Sequence, residues 1–299
     1  MKKEGVLPVY NSVDLYFDHG DGVYLYTEDG TRYLDFTSGI GVTCLGHSHP
    51  ALVSALREQA GKLWHCSNLF KIKGQETVAK KIVDHSFASN VFFCNSGAEA
   101  VEAGIKAVRK YFYLNKKNNY KIICVNNAFH GRTLGAISAA GQDKLLEGFD
   151  PRLDGFEHVD FNNLEAIEKK IDKQTAAILI ETVQGEGGVN PATKEYLLGL
   201  KDLAKKNDLL LFFDEVQCGI GRTGKFLATD WVKNLEPNLV SIAKGVGGGF
   251  PLGALLLDKK VSKTMTPGSH GSTYGGNPLG MAVADVVLNH VLREDFLDH

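Results

Sequence analysis

Residues 209–217 read Leu209-Leu210-Leu211-Phe212-Phe213-Asp214-Glu215-Val216-Gln217, five apolar side chains running directly into two carboxylates. Five residues suit a strand and are too few for a typical buried helix. A run with no polar alternation is a strand covered on both faces, the mark of a parallel sheet between helices. A carboxylate at the buried end of such a strand is costly unless a cation or several donors meet it. Either something positive sits at Asp214, or the strand end already lies in solvent.

Four more short apolar runs stand at 91–94, 121–125, 176–180 and 239–243, separated by helical patterns at 99–114, 164–171 and 194–206. In the last of these Tyr196, Leu197, Leu200, Leu203 and Ala204 fall on one face. The alternation predicts an α/β fold with a mainly parallel sheet flanked by helices. Before it, residues 22–36 read as a hairpin about the Asp29-Gly30 turn, too small to stand alone. The expected organisation is a small-domain segment over 1–46, a large domain over 47–280, and over 281–299 the start of a helix leading to a further lobe. The helical pattern at 278–292 has only seven residues after it and no glycine stop, so the chain reads as incomplete or as completed by a second subunit.

With 299 residues, 43% hydrophobic and 23% charged, the composition is that of a globular protein and excludes disorder, collagen and coiled coil. A net charge of -2 without any basic run gives no attraction for nucleic acid or anionic lipid. Cys44, Cys66, Cys94, Cys124 and Cys218 are scattered and odd in number, which points away from a disulfide framework and toward a reducing cytoplasm. Residues 1–17 hold no apolar leader core, and nothing reaches the roughly 18 apolar residues of a membrane span. His47 and His49 lack the partners and spacing of a zinc site, and no P-loop occurs.

In an open α/β sheet ligands gather where strands end, so the residues after each run carry the chemistry. After 91–94 come Asn95-Ser96-Gly97-Ala98-Glu99, where Ser96 can cap a helix and the free N–H groups of Gly97 and Ala98 would hold a phosphate. The same residues are also a plain capping box. After 121–125 come Phe129 and Arg132, a ring to stack and a fork for a carboxylate, or a core Phe and a surface Arg. After 239–243 comes Lys244, followed by Gly245-Val246-Gly247-Gly248-Gly249. A lysine among apolar residues has its amine pKa pushed down, as a Schiff-base nucleophile requires, whereas an exposed Lys at a turn would have no such role.

A strand-end Lys, a strand-end Asp, an aromatic loop residue and a phosphate-ready helix start are together the parts of a pyridoxal phosphate site. The surrounding segments include Leu45-Gly46-His47-Ser48-His49-Pro50, Glu181-Thr182-Val183-Gln184-Gly185-Glu186-Gly187-Gly188 and Gly221-Arg222-Thr223-Gly224. A last one is His270-Gly271-Ser272-Thr273-Tyr274-Gly275-Gly276-Asn277-Pro278. In this order they resemble the class III (omega-type) aminotransferases of pyridoxal-phosphate fold type I. The resemblance implies that Lys244 joins the cofactor aldehyde and shuttles a proton, while Asp214 keeps the ring nitrogen protonated. It gives Gln217 a hydrogen bond to the ring 3-hydroxyl, assigns Gly97 and Ala98 to the phosphate and Phe129 to the ring stack, and counts Ser96 and Val216 among the cofactor-binding residues. Arg132 becomes the clamp on the substrate α-carboxylate. Ser272 and Thr273 are expected to cross a homodimer interface, Ser272 toward substrate and Thr273 toward the partner's cofactor phosphate. Thr182, Ala98 and Cys218 depart from the usual Pro, Thr and Thr. The family's C-terminal lobe, source of an arginine that pairs with Glu181 to receive the second substrate, has no counterpart after His299.

The implied reaction moves the terminal amine of N2-acetylornithine to 2-oxoglutarate, giving N-acetylglutamate 5-semialdehyde and glutamate in arginine biosynthesis. Donors such as succinyl-diaminopimelate, ornithine or 4-aminobutyrate would use nearly the same motifs. An inactive fragment and a nucleotide-binding α/β module are the competing readings. The first predicts no spectral change on adding an amino donor, the second affinity for ATP or NAD and indifference to Lys244→Ala.

Overall fold

A computed structural model describes residues 5–299; the first four, part of the stretch read as lacking a leader core, lie outside the described residues. His19–Asp21 (β1), Tyr24–Tyr26 (β2) and Arg32–Leu34 (β3) form a three-stranded antiparallel sheet. The expected hairpin is β2 with β3, and Gly30 supplies the left-handed turn residue at φ +82°. The sequence reading missed β1, because His19-Gly20-Asp21 has no apolar alternation. The small sheet is fastened to the segment preceding the first long helix by a bridge between Gly22 and His47 and by His47 Nε2 lying 2.8 Å from Asp35 Oδ2.

The large sheet has seven strands: Asn90–Cys94 (β4), Lys121–Val125 (β5), Phe156–Val159 (β6), Thr175–Glu181 (β7), Leu210–Asp214 (β8), Leu239–Ile242 (β9) and Gly253–Leu257 (β10). They lie in the order β4-β10-β9-β8-β7-β5-β6, and only β10 runs against the rest. All five apolar runs became strands. Those left out were β6, whose Glu157 and His158 break the apolar pattern, and β10, which opens on Gly and Ala, two poor strand formers. Gly253 is needed for closeness: a Cβ there would lie 2.4 Å from the Ser96 carbonyl oxygen.

The continuous apolar runs are explained by two cores, one on each face. Ile178, Ile180, Leu211, Phe213, Val240 and Ile242 point to one, and Ala177, Leu179, Leu210, Phe212 and Leu239 to the other. Pro50–Ala60 (α1), Lys73–Asp84 (α2), Leu164–Lys170 (α4), Lys194–Asn207 (α5) and Pro278–Val291 (α6) cover the first face. Gly97–Leu114 (α3) covers the second through Val101, Ile105, Val108 and Phe112. Each large side chain so buried contributes roughly 1.5–3 kcal/mol. Side-chain caps start the helices where the sequence offers them: Ser96 for α3, Asn163 for α4, Thr193 for α5, and Asn277 with Pro278 for α6. After α6 the chain forms one more short helix, Glu294–Asp298, which the sequence reading did not expect.

Candidate active site

Parallel pairing brings the carboxyl ends of β7, β8 and β9 side by side, and the register puts Glu181, Asp214 and Ser241 in one row. All three are buried. Asp214 Oδ1 accepts from Val216 N (3.0 Å) and from Ser241 Oγ (3.0 Å). Its Oδ2 lies 2.7 Å from Nδ1 of His130, so the buried carboxylate is met by a histidine. Burial works against a charged His130 ring, but the hydrogen bond and charge of Asp214, with the charge of Glu181, outweigh it and raise the His130 pKa. The other ring nitrogen, Nε2, is buried with no partner among the described residues.

Glu181 does not reach the cavity surface. Its carboxylate accepts from the N–H groups of Phe129 (3.1 Å) and Gly185 (3.4 Å), and burial lifts its pKa to about 7. The neighbouring carboxylate of Glu215 is fully buried and held by donors instead of a cation: Ala228 N at 2.6 Å and Thr229 N at 2.7 Å, with Thr182 Oγ1 at 3.4 Å.

Lys244 follows β9 after a single residue, Ala243, and is half-buried in a left-handed backbone conformation, φ +46°. Burial pushes its amine pKa down, partly offset by the charges of Glu186, Asp214 and Glu181. Strain of this kind in a non-glycine residue persists only where its surroundings enforce it. Lys244 lines a cavity of about 420 Å³ together with Ser96, Gly97, Ala98, Phe129, Arg132, Asp214 and Val216. Eight of the residues singled out from sequence thus meet in one space.

On one wall α3 begins. Ser96 Oγ accepts from Glu99 N (3.2 Å), the N-cap half of the expected capping box, while the Glu99 carboxylate accepts from the Ser96 hydroxyl (3.0 Å) and the Asn95 N–H (2.9 Å) instead of the Ser96 N–H. The N–H groups of Gly97 and Ala98, in the first turn, have no helical partner and border the cavity. A Cβ on Gly97 would lie 2.6 Å from Val216 Cγ1, so only glycine lets the backbone come this close. The Arg132 guanidinium is exposed and sits 5.7 Å from the Phe129 ring centroid.

Gln217, Ser272 and Thr273 stand outside this lining. Gln217 Nε2 donates to Glu186 Oε1 at 3.4 Å, at the rim beside Gly185. Ser272 Oγ accepts from Asn95 Nδ2 at 3.2 Å, and Thr273 is exposed. Two residues with electrostatic influence on the site were given no role from sequence. His130 had no visible partner in its own segment, and Glu186 carries the charge that most favours the Lys244 ammonium. The Phe129-His130 adjacency was the available signal for the first. Among the described residues no cluster is arranged to hold a metal ion, and no helix is long and apolar enough to cross a membrane.

Residues 8–299 match the sequence pattern of the family described as Aminotransferase class-III. The chain belongs to the class-III aminotransferases. As a class-III aminotransferase it is a pyridoxal-phosphate-dependent transaminase. It is 51% identical over 299 residues to an acetylornithine aminotransferase of Mesorhizobium japonicum, covering 100% of this chain and 75% of that protein. Among solved structures it resembles an N-acetylornithine aminotransferase from Stenotrophomonas maltophilia (37% identity, TM-score 0.82, 97% of this chain and 71% of that one). It also resembles a Toxoplasma gondii ornithine aminotransferase (33% identity, TM-score 0.90, 95% and 68%), which is described with partial occupancy of PLP at its active site. The cavity of this class-III aminotransferase suits that cofactor: bare amides for a phosphate, an aromatic ring and a valine for a flat heterocycle, a buried acid, and one amine of lowered pKa.

Proposed function

We propose that this transaminase takes the terminal amine of N2-acetylornithine and passes it to 2-oxoglutarate, giving N-acetylglutamate 5-semialdehyde and glutamate, a step of arginine biosynthesis. The observation that carries the site assignment is the placement of Asp214 and Lys244 at the same end of neighbouring parallel strands, on one cavity. Relatives named acetylornithine aminotransferase support the choice of donor.

In this reading Gly97 and Ala98 hold the phosphate through their N–H groups, and Phe129 and Val216 flank the ring. Pyridoxal phosphate, when bound, draws electrons from the carbon that carries the amine and so makes its proton removable. Asp214 holds the ring nitrogen protonated; Val216 N, Ser241 Oγ and His130 fix the orientation of its carboxylate. Lys244 takes and returns the proton, a task suited to an amine whose pKa burial lowers. Arg132 receives the α-carboxylate of the donor as a planar fork, which favours an acylated α-amino acid. The reading assigns Gln217 to the ring hydroxyl, and Glu181 and Ser272 to the substrate, although none of the three lines the cavity.

The small sheet, with residues 1–46, belongs in this reading to a small domain, residues 47–280 form the large domain, and 281–299 lead onward from it. The working form is a homodimer with Thr273 of one protomer serving the other's phosphate; exposed Leu63, Trp64, Leu69, Phe70 and Tyr274 supply an apolar surface beside that loop. Five free thiols support a cytoplasmic location.

The test is spectral and kinetic. Protein reconstituted with pyridoxal phosphate should develop a visible band that changes on adding N-acetylornithine. Its kcat/KM should be higher with that donor than with ornithine, succinyl-diaminopimelate or 4-aminobutyrate. Lys244→Ala should lose the covalent band and turnover; retention of both would refute the mechanism, and preference for another donor would refute the substrate.

A further inference from the structure

One side-chain amide stands between the start of α3 and the loop at 272–276. Asn95 lines the cavity, and its Nδ2 donates to Glu99 Oε1 (3.0 Å) and to Ser272 Oγ (3.2 Å). Its own backbone N–H donates to Glu99 Oε2 (2.9 Å). The Ser96 hydroxyl gives its single proton to that same oxygen (3.0 Å). Glu99 therefore receives donors from the two residues immediately before Gly97. Beyond Ser272 the contacts continue: its Oγ also accepts from Gly275 N (3.0 Å), and Asn68 Nδ2 donates to the carbonyls of Ser272 (3.1 Å) and Gly275 (2.9 Å).

The Ser96 proton is committed, so an anion at this helix start meets the N–H groups of Gly97 and Ala98 instead of the hydroxyl. A carboxylate in the first turn also repels a nearby phosphate unless donors draw its charge elsewhere. We propose that Asn95 is a positioning residue for the cofactor phosphate: it turns the Glu99 charge toward residues 95 and 96 and locks the helix start to the 272–276 loop. The inference rests on the reading that Gly97 and Ala98 hold the phosphate.

Cofactor-free full-length protein is titrated by absorbance with pyridoxal phosphate and with pyridoxal, which has the same aldehyde and ring but no phosphate. The wild type should strongly prefer the phosphorylated form; equal affinities would refute the phosphate reading itself. Given that preference, Asn95→Ala should weaken pyridoxal phosphate about tenfold and pyridoxal by less than about twofold, as expected when one charge-assisted hydrogen bond is removed. Asn95→Asp, which sets a second carboxylate against Glu99, should weaken it further, and adding Glu99→Gln to that variant should restore part of the loss. Unchanged affinity in Asn95→Ala, equal losses for both ligands, or no recovery in the Asp/Gln pair would overturn the proposal even if Asn95→Ala itself folds poorly.

Discussion

Glu215 shows how one residue's surroundings set both its charge and its cost. Burial raises its pKa from 4.5 to about 7, against the pull of the Thr229 and Ala228 amides. Between those two values the folded protein binds a proton that the unfolded chain has released, so this group's contribution to stability falls as pH rises and levels off above about 7. Glu215→Gln places an amide donor against backbone N–H groups that the ionised carboxylate satisfies. At pH 8 the variant should unfold with about 1–3 kcal/mol less stability in urea. The gap should widen at pH 5.5, where protonation of the buried carboxyl stabilises the wild type and the amide variant has no proton to gain. A gap of constant size would show that charge is not the cause. At this scale the sequence disclosed Lys244 and Asp214 because each closes an apolar run. It did not disclose the role of His130, whose partner Asp214 is 84 residues away. Nor did it show that Glu181, at the same row as Asp214, would have its carboxylate taken up by backbone amides.

At the scale of elements, the packing of α3 on the sheet depends on a missing side chain. A Cβ on Gly104 would lie 2.2 Å from Cζ of Phe212 in β8, whose ring is fully buried. Gly104→Ala would gain about 1 kcal/mol of helix propensity. The forced movement of a packed phenylalanine should outweigh this, for a net loss of about 1–3 kcal/mol, measured by chemical denaturation. A net gain would mean that α3 can lift from the sheet at little cost. Strands β4, β5, β7, β8 and β9 were legible as apolar runs because both of their faces are covered. β6 was not, because polar Glu157 and His158 interrupt it at the sheet edge. β10 was not, because closeness to Ser96 demands a glycine where a strand former would otherwise stand.

For the whole molecule, the apolar surface of Leu69 (88% exposed) and Phe70 (68% exposed) beside the 272–276 loop bears on assembly. Leu69→Asp with Phe70→Asp should leave the thermal transition of the protomer within a few degrees, since surface changes usually cost under about 0.5 kcal/mol. Light scattering should report a shift from dimer to monomer, and turnover should fall with it. A monomeric wild type, or a dimeric double variant, would remove this surface from the interface. The single reversed strand governs a distance across the whole site. Because β10 runs against its neighbours, the chain leaving Lys244 needs no helical crossover and turns back within residues 245–252, with Gly253 lying under Ser96. One short return therefore sets the spacing between the Lys244 amine and the free amides of Gly97 and Ala98. Adding or deleting a residue there would shift one against the other like a changed ruler, whereas length changes in the remote connections would leave that interval untouched.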